Sequence, residues 1–583
     1  MYLLEEVPDF FLDTMLMPLF KGKGSKGDLG NHRFLHLKDW PAKVYEKLVM
    51  QKVNARVRNA TPEMQQGGQP KGNAMDHLVK TMTVMAMRKK EGKATVLTLL
   101  DIKKCFDKCK LQDILYEFCQ AGVRGKNLRI IESLNEGTVI KIQGDVDSER
   151  KMSIPNSVGQ GTTTAVDGAS LMIGRVVSTK MAKGEDLKLK VGDVTINPSG
   201  FVDDIGNLKG DAAGAVDAGQ RLTEAVDELS LEAHPQKTVN IFIGNKKARD
   251  KLANEVDKAG MKIQGFKVNR AEHDTYLGMV FDQEGPKESI DKSIEVRRGK
   301  ALMKTQQAKA LLRDPRTEAV GWLDCVRALY QGTVIPALTY SAIAWIGMNK
   351  RQRAKIEATQ KECLYMLLEL LPQASYAGVL TEIGLPRISH IINQLKIKYV
   401  SKLFSEKPNS EVVRVLKEQY QRDDEGLVAE VKELCVKYEL PDVTEELVDD
   451  DWIKENVTRV GMEEVWLETF KSRKIPMHWV AEKKRKMYFN KPKMEAKLLF
   501  FHAVGELDLK TNKSKLSVSK FGGVQCLYGI CYGEDRITHI MSCQGYRTRP
   551  PPDVEGDGFG KYLLELHRER SQRWKWPLIH VRT

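Results

Sequence analysis

Two adjacent carboxylates, Asp203 and Asp204, follow Phe201 and Val202 in a stretch that reads as strand, turn and strand. The residues before it (Val194–Asn197) and after it (Ile205–Leu208) are short half-buried strand candidates, and Pro198, Ser199 and Gly200 supply turn chemistry. Two ionised side chains side by side repel each other, and burying them is costly. A cation removes that conflict. An apolar-apolar-Asp-Asp hairpin therefore offers hard oxygen ligands suited to Mg²⁺. Standing alone, the same dipeptide is a solvated turn. A third carboxylate changes the balance. Asp101 ends the apolar run Val96–Leu100 and leads into a helical stretch, which places it at a sheet edge where it can face the Asp203–Asp204 turn. Without partners it reads as a helix N-cap. Three converging carboxylates could hold two Mg²⁺ ions, one activating a hydroxyl and one stabilising a leaving oxygen, which is the equipment of nucleotidyl transfer.

The elements that must position these groups alternate. The pattern predicts a helix over His77–Lys89, a strand over Ala94–Asp101, a helix after Leu111, a strand pair around Asp203 and a helix over Ala212–Leu231. Mixed order with hairpins points to an α+β domain rather than a doubly wound sheet. Residues 287–405 read as helical, with a basic helix over Val296–Lys304 and another over Arg351–Leu371. Residues 406–470 are acidic and helical, 471–497 are strongly basic, and a short Cys/His segment follows.

A chain of 583 residues is too long for one core and should hold roughly three domains. Its formal charge of +14, from 92 Lys and Arg against 78 Asp and Glu, favours a polyanionic partner. Nine irregularly placed cysteines argue against a disulfide framework and for a reducing compartment. The N-terminus lacks a basic region followed by an uninterrupted apolar stretch, and no apolar run reaches bilayer length. The expectation is an intracellular protein of the nucleus or cytoplasm, neither secreted nor membrane-bound.

Asp101-x4-Phe106-Asp107, then Gly159-Gln160-Gly161-Thr162 in a loop before a helix, then Phe201-Val202-Asp203-Asp204 occur in this order. They resemble motifs A, B and C of a reverse transcriptase palm. Leu229–Thr238, with Lys237, resembles the motif D loop, and Tyr276-Leu277-Gly278 resembles the hairpin that grips the primer. Upstream, Pro18–Gly24 with Asn31-His32-Arg33 resembles the fingers of non-LTR (LINE-like) retrotransposon enzymes. Gln65–Gly68 with Gly72–Asp76 resembles their next fingers motif, although Gly68 and Gln69 replace the usual Phe and Arg. Tyr330–Tyr340 is similar to the thumb of the same group. The resemblance covers nearly the whole chain.

It implies a right-hand polymerase with an antiparallel palm sheet. The fingers would lie in 1–75, the palm with interleaved fingers in 76–285, a helical thumb in 286–405, a helical acidic then basic region in 406–500 and a Cys/His module in 501–583. The activity implied is RNA-templated DNA synthesis from a 3′-OH primer, with dNTPs and Mg²⁺ or Mn²⁺. Asp101, Asp203 and Asp204 would be the metal ligands and Lys237 a general acid toward the leaving pyrophosphate. Phe106 would lie under the sugar and crowd a 2′-OH, although periodicity alone makes it a core ring. Gln160 and Gly161 would let the backbone approach template and nucleotide. Lys21 or Lys23, with Arg33, would neutralise the triphosphate; a solvated basic loop is the plainer reading. Tyr276, Leu277 and Gly278 would hold the primer end.

Near the C-terminus, Cys526-x4-Cys531-x7-His539-x3-Cys543 supplies three thiols and an imidazole, a four-ligand set for structural Zn²⁺. Its spacing is looser than that of common fingers, and the family resemblance favours it. Before it, Lys471–Lys497 carries ten basic residues interleaved with Trp479, Tyr488 and Phe489. That composition suits a groove binding nucleic acid. Lys483, Lys484, Arg485 and Lys486 read as nucleic-acid contacts, or as a nuclear-import signal or a solvated helix face. An RNA-dependent RNA polymerase would share the carboxylates, but Phe106 argues against it; a group II intron maturase fits the thumb and terminal pattern less well. A third alternative is a degenerate element copy that binds nucleic acid without catalysis. No endonuclease is expected in this sequence, so cleavage of the DNA target would be supplied in trans.

Overall fold

The computed structural model describes residues 2, 5–22, 24–69, 72–136, 138–142, 151–153, 159, 161–183, 187–313, 322–370, 372, 374–471 and 565. They divide into two compact units. One comprises Met1–Lys292 with Lys407–Val428; the other comprises Ser293–Glu406 with the described residues from Ala429 on.

The first unit is built around a five-stranded sheet in the order Asn269–Arg270, Val239–Ile243, Thr95–Leu100, Asp204–Lys209, Ser199–Phe201. Every residue of Thr95–Leu100 is buried, as its β-branched and leucine content requires of a central strand. It runs antiparallel to both neighbours, with Leu99 opposite Val239 and Leu100 opposite Ile205. Helices Thr163–Ala182 and Ala212–Glu228 contribute Ala169, Ile173, Leu222 and Val226 to the same core as Val96 and Leu100. This mixture of a mostly antiparallel sheet and packed helices is the expected α+β fold.

The helix Ala74–Lys90 starts where Asn73 accepts a hydrogen bond from the Met75 amide at 3.0 Å. Asp76 in its first turn and Arg88, Lys89 and Lys90 in its last complement the helix dipole. A second sheet, in the order His32–Lys38, Asp13–Phe20, Val139–Ile142, Lys151–Ser153, carries the loop that contains Lys21. The Lys21 amide closes that loop on the Asn31 carbonyl at 2.9 Å.

The strand before the carboxylate turn differs from expectation. Val194–Thr195 pairs with Lys190–Val191 in a separate hairpin, and the partner of Asp204–Lys209 is Ser199–Phe201. Pro198, Ser199 and Gly200 therefore lead into the strand instead of reversing the chain. The reversal occurs at Val202 and Asp203, between the paired residues Phe201 and Asp204. Val202, not Gly200, takes the left-handed conformation, with φ 58°. The reason is edge pairing: the Gly200 amide donates to the Met64 carbonyl at 2.8 Å and its carbonyl accepts from the Gln66 amide at 2.9 Å.

The first unit's segment Lys407–Val428 contains the helix Glu411–Asp423. Buried Glu411 forms an ion pair with Lys80 at 3.1 Å and accepts from the Asn197 amide and side chain at 2.9 and 3.0 Å. The second unit is helical, with Lys350–Leu368, Tyr376–Ile383, Ile388–Glu406 and Asp450–Lys471 among its helices. Tyr330–Val334 is a π-helical turn just before Pro336, which has no N–H to extend an α-helical ladder. Lys396, fully buried, donates to the Trp345 carbonyl at 2.6 Å and to Glu430 at 2.7 Å.

Candidate active site

Asp101 follows the last residue of the central strand, and its backbone is tied to the segment that carries Lys237. Its carbonyl accepts from the His234 amide at 2.8 Å, and its amide donates to the Thr238 hydroxyl at 3.4 Å. Those bonds set Lys237 Nζ 3.5 Å from Asp101 Oδ2. Leu100 lies opposite Ile205, so one further step along the register sets Asp101 across from Asp204.

The three carboxylates share one electrostatic neighbourhood. Burial pushes the Asp203 carboxyl up, and the Asp101 charge adds to it against a backbone hydrogen bond and the charges of Arg33 and Lys237. Asp204 is pushed up to about 6 by desolvation and then by Asp203 and Asp101, again against Arg33 and Lys237. The Asp204 residue still reaches water at the turn. Arg33, opposite Leu19 in the second sheet, is exposed and acts on both carboxylates. Of the residues expected to carry charge chemistry, Asp101, Asp203, Asp204, Arg33 and Lys237 thus share one neighbourhood.

The donor atoms are carboxylate oxygens, the type a hard divalent cation takes, and their mutual repulsion is only partly offset by two cations of the protein. Among the described residues, no three acidic, His or Cys side chains stand close enough to form a ready-made ligand cage.

Side chains from distant parts of the chain hold the hairpin. The Gln65 side chain, almost wholly buried, accepts from the Val202 amide at 2.8 Å and donates to the Val202 carbonyl at 3.0 Å. The Tyr276 hydroxyl donates to the Ser199 carbonyl at 3.0 Å, and a Cβ at Gly206 would come within 3.0 Å of the Tyr276 ring. Tyr276, expected in the primer grip, has a buried ring that supports the sheet. The aromatic ring fills the space left by a glycine on the neighbouring strand. Leu277 and Gly278 form the tight turn between His273–Tyr276 and Met279–Asp282, with φ 46° and 78°.

The other expected residues have more ordinary settings. Lys21 is exposed and its Nζ donates to the Gly30 carbonyl at 3.0 Å, within its own loop. Phe106 lies in the short helix Cys105–Lys108, half-buried against the core. Gly161 has φ 113°, and a Cβ there would lie 3.2 Å from the His36 carbonyl, a close backbone approach that favours glycine. Lys23, Gln160, the basic run Lys483-Lys484-Arg485-Lys486 and the zinc set Cys526, Cys531, His539 and Cys543 lie outside the described residues.

Sequence reasoning missed the brace formed by Gln65, His77 and Tyr276. His77, driven down to about 3 mainly by burial, keeps a neutral ring whose Nε2 lies 3.0 Å from the Gly200 carbonyl. The available signal was the glycine pair at 67 and 68: a Cβ at Gly67 would run into the Val202 amide nitrogen.

Residues 22–281 match the family model described as reverse transcriptase (RNA-dependent DNA polymerase), a stretch that begins in the Lys21 loop and ends in the Met279–Asp282 strand. That stretch is a reverse transcriptase domain, the domain of RNA-directed DNA polymerases. No curated protein matches the chain. Among solved structures, apo telomerase from Candida tropicalis truncated from its C-terminal domain has TM-score 0.34 and 10% identity, over 48% of this chain and 55% of that one. This chain therefore spans about half the length of that structure. Apo telomerase from Candida tropicalis has TM-score 0.36 and 9% identity, over 71% and 70%. Telomerase from Candida albicans in complex with a fragment of telomeric RNA has TM-score 0.34 and 10% identity, over 70% and 66%.

Proposed function

We propose that this chain extends a DNA primer on an RNA template, adding deoxynucleotides at the Asp101, Asp203 and Asp204 site, and that it derives from a non-LTR retrotransposon. The observation that carries the reading is the strand register that sets Asp101 across from Asp204, with Lys237 3.5 Å from Asp101. The three carboxylates would hold Mg²⁺ or Mn²⁺, which when bound supplies a lowered pKa for the primer hydroxyl and charge neutralisation at the departing phosphate.

The remaining roles belong to the protein. Arg33 and the Lys21 loop attract the triphosphate. Lys237, set beside Asp101, donates a proton to the departing pyrophosphate. Phe106 excludes a 2′-OH, and Gly161 lets the chain pass close to template and nucleotide. A primer end reaching the Tyr276 hairpin meets the Leu277–Gly278 turn, since Tyr276 itself is buried. The basic run and the Cys526, Cys531, His539 and Cys543 set, the latter with Zn²⁺, add contacts to RNA and DNA.

Primer extension on an RNA template with dNTPs, comparing the wild type with Asp203→Asn, tests the reading. Extension by the wild type alone is the expected result. Equal extension by both proteins sinks the catalytic assignment, and extension by neither favours a copy that only binds nucleic acid.

A further inference from the structure

We propose that Gln65 is the positioning residue of the carboxylate turn: its side-chain amide, bound to both backbone groups of Val202, holds the left-handed conformation that aims Asp203. This rests on the reading of Asp203 as catalytic.

The turn has an intrinsic problem. Val202 is β-branched and sits at φ 58°, where only glycine and, less readily, asparagine are comfortable. The side-chain compensation is not local. It comes from 137 residues away in the chain, where Gln65 Oε1 accepts from the Val202 amide at 2.8 Å and Nε2 donates to its carbonyl at 3.0 Å. One planar carboxamide thus replaces the partner peptide that the turn cannot find in a strand. The same Oε1 accepts from the Gly67 amide at 3.1 Å, which fixes the carboxamide orientation.

The surroundings are shaped for this contact. Gln65 is 1% exposed. A Cβ at Gly174, on the helix Thr163–Ala182, would lie 2.9 Å from the Gln65 Cβ, so the glycine makes room for the side-chain stem. Gly67 lets the chain pass Val202, and the backbone bonds of Met64 and Gln66 to Gly200 hold the segment in register. Glutamate would keep the length and the acceptor but lose the Nε2 donor; alanine loses both contacts.

Three measurements test the proposal: steady-state primer extension, thermal melting, and amide hydrogen exchange across Gly200–Asp204 in metal-free protein. Gln65→Ala should lower kcat about 10²-fold, as for a misplaced reacting group, with the KM for dNTP and template-primer affinity near wild type. Exchange at the turn should rise about tenfold, a local opening. Val202→Gly tolerates the turn unaided, so in the Gln65→Ala background it should recover most of the lost kcat. Gln65→Glu should fall between the wild type and Gln65→Ala. If Gln65→Ala fails to fold, Gln65→Glu, alone and combined with Val202→Gly, carries the test.

Wild-type kcat and wild-type turn exchange in Gln65→Ala, or in Gln65→Glu should the Ala variant not fold, would overturn the assignment. So would loss of activity that Val202→Gly leaves unchanged. Asp203→Asn is run alongside. If it is inactive while Gln65→Ala is normal, only the Gln65 role falls. If it matches the wild type, the catalytic reading falls first, and raised turn exchange would then show a purely structural clamp.

Discussion

The Tyr276 hydroxyl donates to the Ser199 carbonyl at 3.0 Å, on the hairpin that carries Asp203. Its ring occupies the space beside Gly206, on the strand that follows the turn. A residue expected in the primer grip is a buried support of this hairpin. Tyr276→Phe keeps the ring and removes the hydrogen bond, which should cost about 1 kcal/mol. Tyr276→Ala leaves a cavity and should cost about 3–5 kcal/mol. Thermal melting separates the two. A Tyr276→Ala protein as stable as the wild type, but weak in primer affinity, would restore the surface role.

Lys237 is largely exposed and lies 3.5 Å from Asp101. An exposed ion pair contributes little to folding, so Lys237→Ala should change stability by less than about 0.5 kcal/mol. As a general acid its loss should lower the single-turnover rate about 10²-fold. Lys237→Arg keeps a charge beside Asp101 but holds its proton too tightly to donate it, so it should recover only part of the rate. Full recovery by Arg would make Lys237 an electrostatic partner alone.

Asp204 is pushed up to about 6, first by desolvation and then by Asp203 and Asp101. An unfolded Asp titrates near about 3.9. Between those values the folded protein keeps a proton that the unfolded chain has released. Its contribution to stability is therefore complete below about pH 4 and lost as the pH rises through about 6. With divalent cations chelated, the stability of Asp204→Asn relative to the wild type should grow across that window and then level off. Melting midpoints of the two proteins measured across it provide the check; a constant difference would mean that Asp204 titrates normally.

Much of the site was legible along the chain because the relevant chemistry is written locally. Asp101 ends an apolar run, Asp203 and Asp204 are adjacent, and Lys237 lies in a loop after a helix. The helices Ala74–Lys90, Ala212–Glu228 and Lys350–Leu368 lie within a few residues of the stretches expected from their periodicity. The hairpin was misplaced for a physical reason. Pro198, Ser199 and Gly200 have turn chemistry, but edge pairing of Gly200 with Met64 and Gln66 draws that segment into a strand. The conformational cost moved to Val202, where no local preference would have put it.

The sequence by itself determined which groups are present and how the α and β elements follow one another, since hydrophobic periodicity and strand-ending carboxylates depend on near neighbours. Only the tertiary structure decided what holds the carboxylates in place. Gln65 reaches Val202 across 137 residues, and Tyr276 reaches Ser199 across 77. Such contacts follow from which strand lies at the sheet edge and where a glycine leaves space, and both are properties of packing. Asp203 and Asp204 are visible in the chain as two adjacent acids; as an aimed pair they exist only once Gln65 and Tyr276 close around their hairpin.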